Sequence, residues 1–300
     1  MVSPLEPAVF VHPAFPDHAL LDSGGGEKLE RFGRFTLVRP DPQAIWSRAR
    51  PELWERADLV FERTSDRGGR WKARSGAPKS LRGENAGWRI EYRGAGIEIR
   101  PTPFKHVGLF PEQAANWEWI RERSARLERS AGRPRLLNLF GYTGVASVLA
   151  ARSGLEVTHV DASRTSLSWM RDNMTASGLA PDAIRILRED ALEFVRREVR
   201  RGARYEAVLL DPPHYGRGPR GEKWVFEERI AQLLGACARL LTDRSLLVLS
   251  SYAIGTSPLA MANLLGELGE GEVEAGELAL PEEGGTRLLP CGFTARWSRG

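Results

Sequence analysis

Asn138-Leu-Phe-Gly-Tyr-Thr-Gly144 decides the fold. It closes a continuous apolar run, 136–140, and opens a run of helix formers, 145–152, so it marks a turn from a buried strand into a helix. Glycine at 141 and 144 lets the backbone turn tightly and lets a ligand press close to the main chain, while the helix N-terminus adds donors. The spacing is not GxGxxG. A nicotinamide-binding turn would show all three glycines, which argues against a dehydrogenase. An ordinary strand-to-helix turn shares the local pattern, so the neighbouring segments must decide.

Those neighbours alternate. Short apolar runs at 157–160, 184–187, 207–210 and 246–249 are separated by helical patterns at 164–177, 191–201, 224–241 and 259–268. Continuous apolar runs suit parallel strands covered on both faces, and the alternation predicts an open, doubly wound α/β sheet. The last segments, 271–280 and 287–297, have no helix between them and are joined by Glu282-Glu-Gly-Gly285, which predicts a hairpin with one antiparallel strand. Seven acids and no base between Glu267 and Glu283 suggest an exposed edge there. Before residue 100 the pattern is instead short alternating runs, 34–38, 57–61, 88–92 and 97–99, broken by Gly and Pro. These predict hairpins of a small sheet. Residues 65–87, rich in Gly, Ser and Arg, read as a long mobile loop, and 111–130 as a helix leading onward. The expected division is a β-rich domain over 1–105 and an α/β domain over 106–300.

The chain has 300 residues, 42% hydrophobic content, a formal charge of +4 and a pI near 9.3. No apolar run approaches a membrane span, and MVSPLEPAVFVHPAFPDHAL lacks the layout of a secretion signal, so a cytoplasmic protein is expected. Cys237 and Cys291 have no metal-ligand spacing, and no metal site is predicted. Residues 63–100 carry ten Arg or Lys against four acids, together with Trp71, Trp88 and Tyr92. That mixture fits phosphates and unstacked bases, or equally a solvated surface.

In an open α/β sheet, ligands bind beyond the carboxyl ends of the strands. Asp161 closes Thr158-His-Val-Asp some twenty residues past the first glycine, where an acid can accept both hydrogen bonds of a ribose diol or cap the helix starting near Ser163. Asp190 in Arg188-Glu-Asp-Ala191 can face an adenine amino group or cap its own helix. Leu209-Leu-Asp-Pro-Pro-His-Tyr215 is the sharpest signal. Two prolines stiffen the backbone and remove donors, leaving carbonyls and the Asp211 carboxylate for a substrate with an amino group or a flat ring.

Taken together these segments resemble class I S-adenosylmethionine-dependent methyltransferases, in the branch of bacterial large-subunit ribosomal RNA enzymes acting on cytosine C5 or guanine N7. The 138–144 turn resembles that branch's NLF-x-YTG element, and Gly108-Leu-Phe-Pro-Glu-Gln113 its G-x-F-x-D-Q segment, over roughly residues 88–297. The resemblance implies a mostly parallel seven-stranded sheet and S-adenosyl-L-methionine as cofactor. It assigns Phe110, Gln113, Asn138, Phe140, Gly141, Tyr142, Thr143, Gly144, Asp161, Ala162, Asp190, Ala191 and Asp211 to the cofactor. Asp211, Pro212, Pro213 and Tyr215 would line the acceptor pocket as catalytic residues, with Tyr215 stacking on the acceptor and His214 available as a proton relay. RNA, ribosomal RNA first, is the implied partner, and a homodimer is left open.

Two departures bear on the acceptor. Enzymes that methylate cytosine C5 add a Cys thiolate to the ring, and the related ones carry it after the fifth strand, where this chain has Leu249-Ser-Ser-Tyr252. Amino-methylating enzymes place an aromatic directly after Pro-Pro, where this chain has His214 before Tyr215. A small molecule or a protein side chain as acceptor, or a binding module without turnover, are the alternatives.

Overall fold

The computed structural model describes residues 8–65, 68–83, 86–127, 132–252 and 255–300. In chain order the first elements are β1 (Ala8–Val11), β2 (His18–Gly24), β3 (Glu27–Phe32), β4 (Phe35–Pro40), α1 (Pro51–Trp54), β5 (Leu59–Ser65), β6 (Gly68–Ala73), β7 (Trp88–Tyr92) and β8 (Ala95–Ile99). Then follow α2 (Ala114–Ser124), β9 (Arg135–Leu139), α3 (Val145–Arg152), β10 (Glu156–Asp161), α4 (Arg164–Ala176), β11 (Ile184–Arg188), α5 (Ala191–Arg200) and β12 (Tyr205–Leu210). The rest are β13 (Tyr215–Arg217), β14 (Lys223–Val225), α6 (Phe226–Ala238), β15 (Leu241–Ser251), α7 (Pro258–Gly266), β16 (Glu272–Pro281) and β17 (Leu288–Arg299). Among the described residues, no helix is long and apolar enough to cross a membrane. The chain divides into two compact units: Met1–Phe10, Gln113–Leu278 and Gly292–Gly300 in one, Val11–Glu112 and Ala279–Cys291 in the other.

The larger unit is built on a sheet ordered β1-β16-β17-β15-β12-β9-β10-β11. From β15 to β11 the pairings are parallel, while β17 runs antiparallel to β15, as the missing helix before it predicts. The strands are apolar because both faces are covered: Leu137, Leu139, Val208, Leu210, Leu247 and Leu249 are buried with Phe194, Leu233, Leu234, Met261 and Leu265 of the flanking helices. The sheet has eight strands rather than the seven expected, because β1 joins beyond β16. This also corrects the reading of an exposed acidic edge. β1 covers it so closely that a Cβ on Gly276 would overlap the Ala8 backbone.

The smaller unit contains a five-stranded sheet, β2-β3-β4-β5-β6, and the ribbon β7–β8. Trp88 of the ribbon donates to the Phe32 carbonyl at 3.0 Å and packs edge-to-face on Phe35. Residues 65–87 are not simply a loop. β6 pairs with β5, and Lys79–Leu81 form a 3₁₀ turn, while 66–67 and 84–85 lie outside the described residues. Some of the glycines that suggested a loop are there for close approach: a Cβ on Gly69 would strike the Glu62 carbonyl and the Phe61 ring. The predicted helix 111–130 is a 3₁₀ turn, Pro111–Gln113, followed by α2, and its last residues 128–130 are outside the described set.

The interior of this unit is charged. Fully buried Glu30 accepts from Arg39 Nε at 2.8 Å and from His18 Nε2 at 3.2 Å, with Lys28 beyond at 3.8 Å. The cations beside it hold the Glu30 carboxyl well below the ordinary range, even though burial alone would raise it. Removing one member of such a buried set costs about 3–5 kcal/mol, because the others are left unpaired.

Candidate active site

The order of the parallel strands creates the site. β9 lies centrally; the chain lays β10 and β11 to one side of it, then crosses to place β12 and β15 on the other. Ligand crevices open where the order reverses, here between the tips of β9 and β12. In-register pairs Leu139↔Val160, Leu139↔Leu210, Asp161↔Arg188 and Leu210↔Leu249 bring four of the strand ends to one level beside β15. The ladder continues past them: Gly141 N–H donates to Val160, Asp211 N–H to Leu139 and Glu189 N–H to Asp161.

The turn after β9 is strained. Phe140 and Tyr142 have φ of 56° and 52°, and Gly144 has 76°, so alternate residues sit in the left-handed region, a conformation that persists only where the surroundings enforce it. What enforces it lies beneath. Asn138 Nδ2 donates to Ser147 Oγ at 2.9 Å, and Ser147 Oγ bonds His159 Nδ1 at 2.9 Å, all buried. A Cβ on Gly141 would overlap the His159 ring, and one on Gly144 would overlap Met170, so both glycines serve close packing as well as turning. Burial lowers the His159 imidazole to about 3 and keeps it neutral. Asn138, expected against the cofactor, thus faces inward as a support of the turn. Thr143 is buried as well, with Asn173 Nδ2 donating to its carbonyl.

Asp161 ends β10. Its Oδ2 accepts from Tyr142 N–H at 2.9 Å and its Oδ1 from Ser163 N–H at 2.7 Å, while Ser163 itself caps α4 through Ser166 N–H. Both carboxylate oxygens retain a second lone pair for donors such as a diol. Burial raises the Asp161 carboxyl above the ordinary range, opposed by the Ser163 and Tyr142 N–H groups. The Ala162 carbonyl accepts from Arg188 Nε at 3.2 Å. At the end of β11, Asp190 caps α5 by accepting from Glu193 N–H at 3.0 Å, and both it and Ala191 are buried. Of the two roles weighed for Asp190, the capping role is the one occupied.

Beyond β12, Asp211 is half-buried, Pro212 buried and Pro213 exposed. The Pro213 carbonyl accepts from Trp224 Nε1 at 2.7 Å, and the His214 carbonyl from Phe226 N–H at 3.0 Å. Trp224 lies in strand β14, not in the helix its surroundings suggested, and its buried ring packs 4.8 Å from that of Phe140. It therefore ties the glycine turn to the proline loop, a link with no sequence signature. His214 Nδ1 stands 3.4 Å from Glu227 Oε1. Tyr215 is 51% exposed on the β13–β14 hairpin.

Gln113 opens the larger unit, buried, its Nε2 donating to Tyr252 Oη at 3.1 Å and its Oε1 accepting from Asn116 and Ser250. Phe110 is counted with the smaller unit, where its ring lies 5.1 Å from His106. In the basic stretch 63–100, Trp88 and Tyr92 are buried, and Trp71 packs on Phe61 while donating to the Thr102 carbonyl. Arg70 and Lys72 pair with Glu62, and Arg89 with Glu98. The aromatics there are structural. Among the described residues, no His, Cys, Asp or Glu group is arranged to hold a metal ion.

A doubly wound sheet with an acid at the second strand tip and a glycine turn at the first defines a nucleotide-cofactor enzyme of the α/β class. Comparison with known proteins narrows this. The family model "Conserved hypothetical protein 95" matches residues 104–251. The crystal structure of an SAM-dependent methyltransferase from Agrobacterium tumefaciens is 39% identical, covers 98% of this chain and 94% of its own, and superposes with a TM-score of 0.90. Ribosomal RNA large subunit methyltransferase K/L of Shewanella frigidimarina (strain NCIMB 400) is 29% identical over 163 residues, 54% of this chain and 22% of that protein. The same-named protein of Shewanella sp. (strain ANA-3) is 32% identical over 161 residues, 53% of this chain and 22% of its own length. The chain thus spans about a fifth of these curated relatives. It belongs to the class I SAM-dependent methyltransferase family.

Proposed function

We propose that the chain transfers the methyl group of S-adenosyl-L-methionine to a base of structured RNA, ribosomal RNA before others. The observation that carries the reading is the crevice itself: the strained 140–144 turn, Asp161 and the Asp211-Pro-Pro loop joined in one hydrogen-bonded row of strand tips. The residues fit the cofactor's chemistry. The glycine turn brings bare backbone to the cleft, and Asp161 offers acceptors where a ribose diol would lie. When bound, the cofactor supplies an electrophilic methyl on a sulfonium.

The protein's own task is orientation, since an in-line approach of acceptor to methyl is the main requirement. Phe140, Gly141, Tyr142 and Gly144 hold the amino-acid part and Asp161 the ribose. Asp190, through Ala191 and the first turn of α5, shapes the adenine side. Asp211 and the Pro212 carbonyl receive the acceptor's donor groups. The Pro213 carbonyl is already engaged by Trp224, so Pro213 contributes stiffness more than an acceptor atom. Tyr215 extends from the outer hairpin toward a larger substrate. The larger unit forms the catalytic part and the smaller unit, which takes 106–112 and 279–291 as well as most of 1–105, a module for the acceptor.

The RNA assignment draws on the names of the large-subunit relatives, and a cytoplasmic location follows from it. A small-molecule or protein acceptor is the second reading, favoured by the burial of Trp88 and Tyr92, which takes two of the three aromatic rings of the basic stretch out of reach of stacking. Mass spectrometry of nucleosides in total RNA, from cells with and without the gene, tests the first reading. A methylated nucleoside missing from the second sample is expected; identical inventories would remove RNA as the acceptor.

A further inference from the structure

In the basic stretch Trp88 and Tyr92 are buried and Trp71 is half-buried against Phe61, yet a planar acceptor in a methyl-transfer cleft needs an open aromatic face. β15 ends at Ser251, and the next residue, Tyr252, is among the few large aromatic side chains left open to solvent, at 38% exposure. It occupies the segment in which cytosine enzymes carry their thiolate, but no thiol is present in Leu249-Ser-Ser-Tyr252.

The Tyr252 ring is held from two directions. Gly292 of β17 lies against it, so closely that a Cβ there would stand 2.8 Å from Cδ1 and Cε1. Its hydroxyl accepts from Gln113 Nε2 at 3.1 Å. Gln113 is itself fixed: Asn116 Nδ2 donates to Gln113 Oε1 at 2.9 Å and to Thr294 Oγ1 at 3.1 Å, and Arg296 Nε donates to Asn116 Oδ1 at 2.9 Å. Behind one tyrosine hydroxyl there is thus a buried chain of polar side chains. A ring fixed in this way loses little conformational freedom when a flat ligand lies on it.

Its place in the sheet points to the acceptor side. β12 and β15 run parallel with Leu210 beside Leu249, and three residues beyond those partners stand Pro213 and Tyr252. Tyr215, by comparison, sits on a two-stranded hairpin outside the main sheet.

We infer that Tyr252 is the stacking platform for a planar heterocyclic acceptor and sets the enzyme's preference for a nucleobase. This rests on the methyl-transfer reading above. An alkyl or thiol acceptor would gain nothing from such a face, whereas a base gains a stacking contact that tolerates any heterocycle.

The test uses the full chain with labelled S-adenosyl-L-methionine and total RNA from cells lacking the gene. Wild type, Tyr252→Phe and Tyr252→Leu are compared for KM and kcat, with S-adenosylhomocysteine affinity and urea midpoint measured alongside. Tyr252→Leu should raise KM for RNA about tenfold or more, the range expected for loss of one base-stacking contact. Tyr252→Phe, which keeps the ring, should stay within about threefold of wild type, a spread smaller than one stacking contact. In both variants the S-adenosylhomocysteine affinity should match wild type, and any drop in urea midpoint, from the Gln113 bond that both lose, should be the same in the two. An unchanged KM in an active Tyr252→Leu enzyme overturns the inference, as does a loss that follows the urea midpoint, which would make Tyr252 a plug for the Gln113 chain. A wild-type enzyme that methylates none of this RNA overturns the functional reading and the inference with it.

Discussion

The backbone N–H of Tyr142 donates to Oδ2 of Asp161 at 2.9 Å, linking the strained turn after β9 to the tip of β10. The same carboxylate accepts from Ser163, so one side chain holds two of the strand-to-helix turns that border the cleft. Asp161→Ala leaves both N–H groups without their partner and should cost about 1–3 kcal/mol, the range for orphaned polar groups. Urea denaturation checks this, and a midpoint equal to wild type would show that the turn stands without Asp161.

The raised Asp161 carboxyl gives a pH dependence with a definite sign. Burial is its main cause, so the group titrates above the 3.8 of an ordinary Asp. Only the ionised form can accept both hydrogen bonds of a ribose diol. Cofactor affinity should therefore hold at neutral pH and fall as acid approaches this carboxyl, earlier than an unperturbed Asp would require. S-adenosylhomocysteine titrations across mildly acidic pH measure it; an affinity flat down to ordinary carboxylate titration would contradict the assignment.

Gly141→Ala forces a methyl into the His159 ring, and overpacking of this kind costs about 1–3 kcal/mol. Loss of cofactor binding should accompany the loss of stability, because the ring cannot shift without disturbing Ser147 and Asn138. Gly235 makes a suitable contrast. It lies inside α6 with no heavy atom within 4 Å of an added Cβ, so Gly235→Ala should stabilise by about 0.5–1 kcal/mol and leave binding unchanged. Thermal melts of the two variants in parallel provide the comparison.

Legibility from sequence followed what each element is made of. The parallel strands were readable because two covered faces demand continuous apolar runs, and the glycine turn because it needs small residues at fixed places. β2 and β3 were not, because they bury Asp22, Ser23, Lys28 and Glu30 among their apolar residues, made tolerable by distant partners such as Arg39, Asp41, Glu282 and Arg287. β1 escaped notice since four residues carry no pattern and their partner strand lies at the far end of the chain. At the site, Asp161 and Asp211 were visible as strand-ending acids. Trp224 and Tyr252 were not, since their roles depend on contacts with Phe140, Pro213, Gln113 and Gly292 that spacing does not encode.

Acid should weaken the fold well before carboxylates titrate. Burial lowers His12 to about 3, His106 to about 4 and His159 to about 3. Above the ordinary 6.5 both folded and unfolded chains hold these rings neutral, so they do not affect stability. Below it the unfolded chain takes up protons that the folded one refuses, and each ring costs about 1.4 kcal/mol per pH unit until its folded value is reached. Urea midpoints should drop steadily from about pH 6.5 downward, a window set by these histidines. Midpoints unchanged between pH 6.5 and 5 would contradict their burial as neutral rings.

The cleft is most directly tested by calorimetry of S-adenosylhomocysteine with wild type, Asp161→Ala and Asp211→Ala. Saturable one-to-one binding is expected for wild type, at least about tenfold weaker for Asp161→Ala, which loses charge-assisted bonds to the ribose. Asp211→Ala, altered on the acceptor side, should keep most of that affinity. No heat of binding in wild type, or equal affinity in Asp161→Ala, would mean that these strand tips do not hold an adenosyl cofactor.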